Sequence, residues 1–247
     1  MKADNFILSE YFARIGFDKE AKSELETLKA VMSAQLCSVP FENTEVQAGC
    51  IPSLKPEDIV QKIVYDKRGG YCYELNGLFA MALKSLGFEY YFAAARPMTY
   101  AERRPKTHMV VIVTLGNEKY LCDCGFGGYG LREPIKLANG FEMLQNGERF
   151  FVEFDNGEYL LSSQIFESKS PQYAFADTPQ EWIEFGLANY FNATHPNTIF
   201  TQKKLAIMQT KNGRKILVDE TLKIIENGVV QESSLPYEEA FEKHFKR

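Results

Sequence analysis

The chain has 247 residues, 45% hydrophobic, 13% aromatic and 25% charged, the make-up of a folded globular protein with room for one large domain or two to three intimate subdomains. Its net charge of −5 disfavours a nucleic-acid backbone as partner, and no apolar run approaches the roughly 18–20 residues that span a bilayer. The N-terminus carries charges where a signal peptide is apolar, and five irregularly spaced cysteines with three histidines fit a reducing cytoplasm and no zinc site.

From Ser9 to about Leu86 the periodicity is helical. Leu25, Leu28, Val31, Met32 and Leu36 mark a helix over Ser23–Leu36, and Pro56 suits the first turn of a helix over Pro56–Tyr65. Cys72, Leu75, Phe79, Ala82, Leu83 and Leu86 form one stripe that Gly87 closes. From Phe88 to about Ser163 the pattern turns to short strands, among them Tyr90–Ala95, His108–Leu115, Lys119–Cys124 and Arg149–Phe154. The last third combines a helix over Gln180–Asn189, strands over Lys204–Thr210, Lys215–Val218 and Leu222–Glu226, and a charged helix from Tyr237. Lys211-Asn212-Gly213-Arg214 and Asn227-Gly228 read as hairpin turns. Helices, then strands, then a mixed segment give an α+β class.

The stretch RGGYCYELNGLF carries the chemistry. Cys72 stands at a helix start, where unpaired N–H groups and the positive end of the helix dipole favour a thiolate. Gly69 and Gly70 let the chain turn sharply and bring other backbone close to the sulfur. A nucleophilic cysteine needs a base. His244 lies in a charged terminal helix and reads as surface, while His195 precedes Pro196 and reads as a loop cap or pocket rim. His108 opens a strongly apolar strand, where a buried imidazole needs a hydrogen-bond partner. If Gly116-Asn117 is a two-residue hairpin loop, Leu115 pairs with Glu118, Val113 with Tyr120 and Val110 with Asp123. His108 then shares a face with Asp123, its diagonal neighbour at roughly 7–8 Å. A lone buried cysteine is more often an inert small hydrophobe, and an aspartate beside a glycine is more often a turn former. Together, however, the three residues favour a Cys–His–Asp arrangement.

At these residues the chain resembles an arylamine N-acetyltransferase. RGGYCYELNGLF, THMVVIVTL and CDCGFG follow in the family's order, and YFARIGF, VPFEN and NATHPNTIF extend the likeness from about Tyr11 to Leu217. The resemblance implies a helical subdomain over 1–87 carrying the nucleophile and a β-barrel-like one over 88–190 carrying His and Asp. An α/β lid over 191–247 completes a papain-like core. It places the catalytic cysteine, histidine and aspartate on Cys72, His108 and Asp123, the residues reached from strand parity. It also implies a stiffening pair between Arg14 and Glu42, whose plain alternative is a surface salt bridge worth ~0–1 kcal/mol. Phe41, Phe126 and Phe200 fall where an apolar acceptor slot would be, with core packing an even alternative. Gly125, Gly127 and Gly128 follow the aspartate strand, where free N–H groups could face CoA, although such loops are usually only turns. No permanently bound cofactor or metal is implied. Acetyl-CoA is the co-substrate and an aromatic amine or hydrazine the acceptor, with an acetyl group carried on Cys72 in a ping-pong cycle. The chain departs from the family pattern at Thr44, where leucine is usual, at Cys122 and Cys124 around the aspartate, and in a short tail after KNGR.

Three other functions suit parts of this pattern. A transglutaminase-like or papain-like hydrolase would pass the acyl group to water or a protein amine. An amide synthase would close a macrolactam. A binding module would use Cys72 only to cap a core helix. The aromatic content around the site favours excluding water, and so favours transfer.

Overall fold

Helical periodicity in the first third becomes five α-helices in the computed structural model, which describes residues 1–164 and 167–246. In chain order they are α1 (Leu8–Ile15), α2 (Leu25–Ser38), the strand β1 (Phe41–Glu42), α3 (Thr44–Gln47), α4 (Pro56–Val60) and α5 (Cys72–Ser85). Pro56 does occupy the first turn of α4. The helix expected to run to Tyr65 instead opens into a π-helical turn over Gln61–Tyr65. That wider turn holds Lys62 where its Nζ lies 2.7 Å from Glu74 Oε1 and 2.9 Å from Glu45 Oε2.

The strand-rich middle comprises β2 (Glu89–Pro97), β3 (His108–Leu115), β4 (Glu118–Cys122), β5 (Ile135–Lys136), β6 (Phe141–Gln145), β7 (Glu148–Asp155), β8 (Glu158–Gln164) and β9 (Ser170–Phe175). They pair antiparallel in the order β5-β4-β3-β2-β9-β8-β7-β6 and curl into a nearly closed barrel. A 3-10 turn (Trp182–Glu184), α6 (Phe185–Thr194) and α7 (Ile199–Gln202) follow. A second antiparallel sheet takes β10 (Leu205–Thr210), β11 (Gly213–Val218), β12 (Thr221–Glu226) and β13 (Val229–Ser234), with β1 on its far edge, and α8 (Tyr237–His244) packs on it. Ala240 of that helix and Phe245 just past it are fully buried against Leu217 and Met208. The main core is shared by α1, α2, α5 and the barrel.

Two expected elements are displaced. The helix expected over Gln180–Asn189 starts later and runs to Thr194, because His195 takes an extended conformation (φ −75°, ψ 128°) ahead of Pro196. The residue at which the lid was expected to begin therefore lies inside α6. The KNGR turn sits one residue early. Thr210 pairs with Gly213, so Lys211 and Asn212 form the turn and Gly213 is already strand. Asn227 and Gly228 both have positive φ (50° and 79°), the I′ geometry their dipeptide favours.

Candidate active site

The hairpin of β3 and β4 has the register that parity requires. Leu115 faces Glu118, Val113 faces Tyr120, and Ile112 faces Leu121 across the two-residue turn Gly116-Asn117. Continuing that register places Asp123 Oδ2 2.7 Å from His108 Nε2, with both residues buried. The other carboxylate oxygen accepts from Asn76 Nδ2 at 3.0 Å and from the Gly125 N–H at 2.8 Å. Asp123 thus holds a ring proton on Nε2, so that Nδ1 is the nitrogen not engaged by the carboxylate.

Cys72 is the first residue of α5 and borders a cavity of about 390 Å³ together with His108. Burial, reinforced by the charge of Asp123, pushes its thiol well above the ordinary range, while the N–H groups of Tyr73 and Cys72 at the helix start pull the other way. The helix terminus is therefore too weak by itself to make the thiolate expected from position alone. A thiolate here needs a proton acceptor that becomes its counter-ion, and His108 borders the same space.

Several polar residues that the sequence reading passed over hold this geometry. Asn76 stands one turn after Cys72 on α5 and is fully buried. Its Nδ2 donates to Met109 O (2.7 Å) as well as to Asp123, and its Oδ1 accepts from the Cys124 N–H (2.7 Å). It ties the helix that begins at Cys72 to β3 and to the chain just past β4. Glu74 accepts from the Tyr71 N–H at 3.0 Å, the glutamate arm of a capping box, and Lys62 answers its charge. Burial raises the Glu74 carboxyl to about 7, and Lys62 limits the rise. The signals were an acidic residue three positions after Tyr71, the residue that precedes α5, and an amide four after Cys72.

Neither glycine before Cys72 has positive φ. They serve close approach, since a Cβ on Gly69 would lie 2.2 Å from Pro40 O. Gly70 bridges Phe41 in parallel, and its carbonyl accepts from the Glu42 N–H at 2.9 Å.

Around the pair expected between Arg14 and Glu42, each residue has further partners. Arg14 donates to the carbonyls of Ile63 and Ser38 (both 2.8 Å) and of Arg68 (3.2 Å). Glu42 meets the Arg68 guanidinium at 3.5 Å and accepts from Thr44, whose hydroxyl lies close to the carboxylate. The support reaches Cys72 through backbone: Arg14 fixes the carbonyls that precede Gly69, and Arg68 fixes the carboxylate of β1.

Phe41, Phe126 and Phe200 all border the cavity. Phe126 stands edge-on to the His108 ring at 5.1 Å, and Phe41 and Phe200 lie 6.1 Å apart. The three glycines separate. Gly125 and Gly128 border the cavity, whereas Gly127 faces Phe41 and Ile207. The Gly125 N–H is not the free donor expected, because Asp123 accepts it. Gly125 is needed for contact instead, since a Cβ there would lie 2.5 Å from Cys72 Cα and 2.8 Å from Cys72 O. Backbone on both sides has no way to give. Gly125→Ala is expected to destabilise by about 1–3 kcal/mol, as overpacking does, and to lower turnover by about 100-fold by displacing the thiol. Thermal melts and single-turnover rates check the two effects separately.

His195 caps its own loop, its Nδ1 accepting from the Asn197 N–H at 3.2 Å. Cys122 and Cys124 are buried, and burial pushes both thiols up. Among the described residues no group of three or more His, Cys, Asp or Glu could hold a metal ion, and no helix is long and apolar enough to cross a membrane.

The N-acetyltransferase family model matches residues 24–247. An arylamine N-acetyltransferase of Mycolicibacterium smegmatis is 31% identical over 231 residues, covering 91% of this chain and 84% of that protein. The solved arylamine N-acetyltransferase of M. tuberculosis superposes with a TM-score of 0.93 at 27% identity, over 97% of this chain and 92% of the other. That of Mycobacterium marinum in complex with CoA gives 0.91 at 25%, over the same 97% and 92%. The helix–barrel–sheet arrangement is thus the papain-like fold of these enzymes. The chain belongs to the arylamine N-acetyltransferase family and is an acetyltransferase.

Proposed function

We propose that this enzyme moves an acetyl group from acetyl-CoA to an aromatic amine or hydrazine through an acetyl-Cys72 intermediate. One observation carries this reading: Asp123 occupies Nε2 of His108, so the basic Nδ1 is left for the thiol that borders the same cavity. His108 Nδ1 takes the Cys72 proton, and the thiolate adds to the thioester carbonyl. The tetrahedral adduct collapses with loss of the CoA thiolate, which takes the proton back from the imidazolium. The acceptor nitrogen then adds to the acetyl-cysteine. Its proton passes to His108 as the Cys72 thiolate leaves, and the amide departs. Asp123 holds the ring tautomer and stabilises the imidazolium.

The lining supports transfer over hydrolysis, because Phe41, Phe126 and Phe200 favour a flat aromatic acceptor over water. Of the three loop glycines, Gly125 and Gly128 border the cavity that CoA would enter, and the Gly125 N–H is already taken by Asp123. Intact-mass analysis after mixing with acetyl-CoA should show a single adduct of about 42 Da, one acetyl group, discharged by an aromatic amine. An unmodified wild type, or equal acetylation of Cys72→Ala, would sink the reading.

A further inference from the structure

Helix α6 lies at the surface yet carries no charge. Its ten residues, FGLANYFNAT, include no Asp, Glu, Lys or Arg, whereas the outer face of a surface helix ordinarily holds them, as α8 (YEEAFEKH) does. The inner face buries Phe185, Asn189, Asn192 and Ala193. On the outside, Leu187 is 85% and Tyr190 59% exposed, and Ile183, in the turn that leads into the helix, is 79% exposed. Spacings of four and three put these side chains on one side. Ile51 is exposed beside them, since Asn189 Nδ2 donates to the neighbouring Pro52 O at 3.0 Å. Gly186 adjoins Leu187. Its φ is not positive, and a Cβ there would meet nothing within 4 Å. Nothing among the described residues therefore calls for glycine, which weakens a helix relative to alanine. A second surface pressed against the helix would.

The two ends of this face are oppositely charged. At its start Glu181 and Glu184 are exposed. Glu184 accepts from the Glu181 N–H at 2.8 Å, and neither makes an ion pair among the described residues. Just past its end Arg104 donates from Nη1 to Asn197 O at 3.2 Å and likewise makes no ion pair among the described residues. We propose that the outer face of α6 is the interface of a homodimer, in which two copies of the helix pack antiparallel about a two-fold axis. Such an interface must be complementary to itself. The antiparallel arrangement meets that demand twice over, because the acidic start of each helix faces the arginine end of the other. A parallel pairing would set glutamates against glutamates. The axis passes beside Leu187, and Ile183 of each copy meets Tyr190 of the other. The same helix brings Phe191 and Asn192 to the cavity, so the interface backs one wall of the site.

Sedimentation velocity over about 1–100 μM, the range of small interfaces, should show a monomer–dimer equilibrium. Leu187→Glu should raise the dissociation constant at least about 10-fold, since it places two carboxylates in an apolar contact. The side chain is exposed in the monomer, so the melting curve of the dilute enzyme should not change. The charged ends give a stricter check. The double variant Glu181→Lys, Glu184→Lys and the single variant Arg104→Glu should each self-associate about 10-fold more weakly than the wild type. An equimolar mixture of the two variants should recover wild-type association, because every contact between the ends then joins opposite charges. A wild type that stays monomeric across the range overturns the proposal. So does a dimer that Leu187→Glu leaves intact, which would give the contact to another face such as the exposed edge strand β13. A mixture that associates no more tightly than its components overturns it as well.

Discussion

Asp123→Asn is expected to slow acetylation of Cys72 by about 10⁴-fold, the scale seen when a triad carboxylate becomes an amide. The surrounding donors dictate which way the new amide must point. The Oδ1 site accepts from Asn76 Nδ2 and from the Gly125 N–H, so the amide oxygen has to stay there. Its NH2 group then faces His108 Nε2 and donates to it. That donation forces the ring proton onto Nδ1, the nitrogen that must accept from Cys72. Because all three hydrogen bonds persist, one of them reversed, the melting temperature should change little while the single-turnover rate collapses. A rapid-quench mass measurement showing wild-type acetylation kinetics would remove Asp123 from the chemistry.

Lys62→Met should be the most damaging change in the helical region, at about 3–5 kcal/mol near pH 8, the cost of leaving one partner of a buried ion pair alone. Glu74 is 2% exposed, and the half-covered Glu45 offers no positive charge in return. The loss should depend on pH. Burial already raises the Glu74 carboxyl from 4.5 to about 7 with Lys62 present, and removing the lysine raises it further. A carboxyl whose folded pKa lies above its unfolded one binds more protons when folded. Its stabilising contribution is whole below pH 4.5 and is lost as pH rises through the folded value. The variant should therefore recover stability on acidification at up to about 1.4 kcal/mol per pH unit. Adding Glu74→Gln should restore much of it at pH 8, since the amide oxygen can still accept from the Tyr71 N–H. Urea titrations at pH 5 and pH 8 measure both effects, and a pH-independent deficit would contradict the buried-charge account.

The pairing of His108 with Asp123 was legible because backbone alone sets it. A two-residue turn fixes register, and register fixes which of His108, Val110, Leu121 and Asp123 share a face. Long side chains were another matter. Arg14 donates to the carbonyls of Ile63, Ser38 and Arg68, and no periodicity points to any of them. The capping contact of Glu74 and the clamp made by Asn76 were hidden because α5 is buried from Cys72 through Leu83, so its one apolar stripe understates how much of it is covered. Strand β9 (SPQYAF) begins on a Ser-Pro that reads as a break, and only pairing with β2 and β8 makes it a strand. The thiol was read from the helix terminus, a local feature, whereas its titration answers to burial by residues distant in sequence.

Strand β1 has a consequence for how the enzyme comes into being. Its Phe41 bridges Gly70, just ahead of Cys72, on one side and pairs with Ile207 of β10 on the other. Nearby, Asn43 donates to Phe200 O, 157 positions along the chain. A polypeptide emerging from the ribosome makes its thiol-bearing helix early but cannot seat β1 until the far sheet is synthesised. Contacts of such separation also form slowly. Cys72 at the head of α5 is therefore made well before the strand that completes the wall around it, and the pocket beside it closes only after β10 has been added.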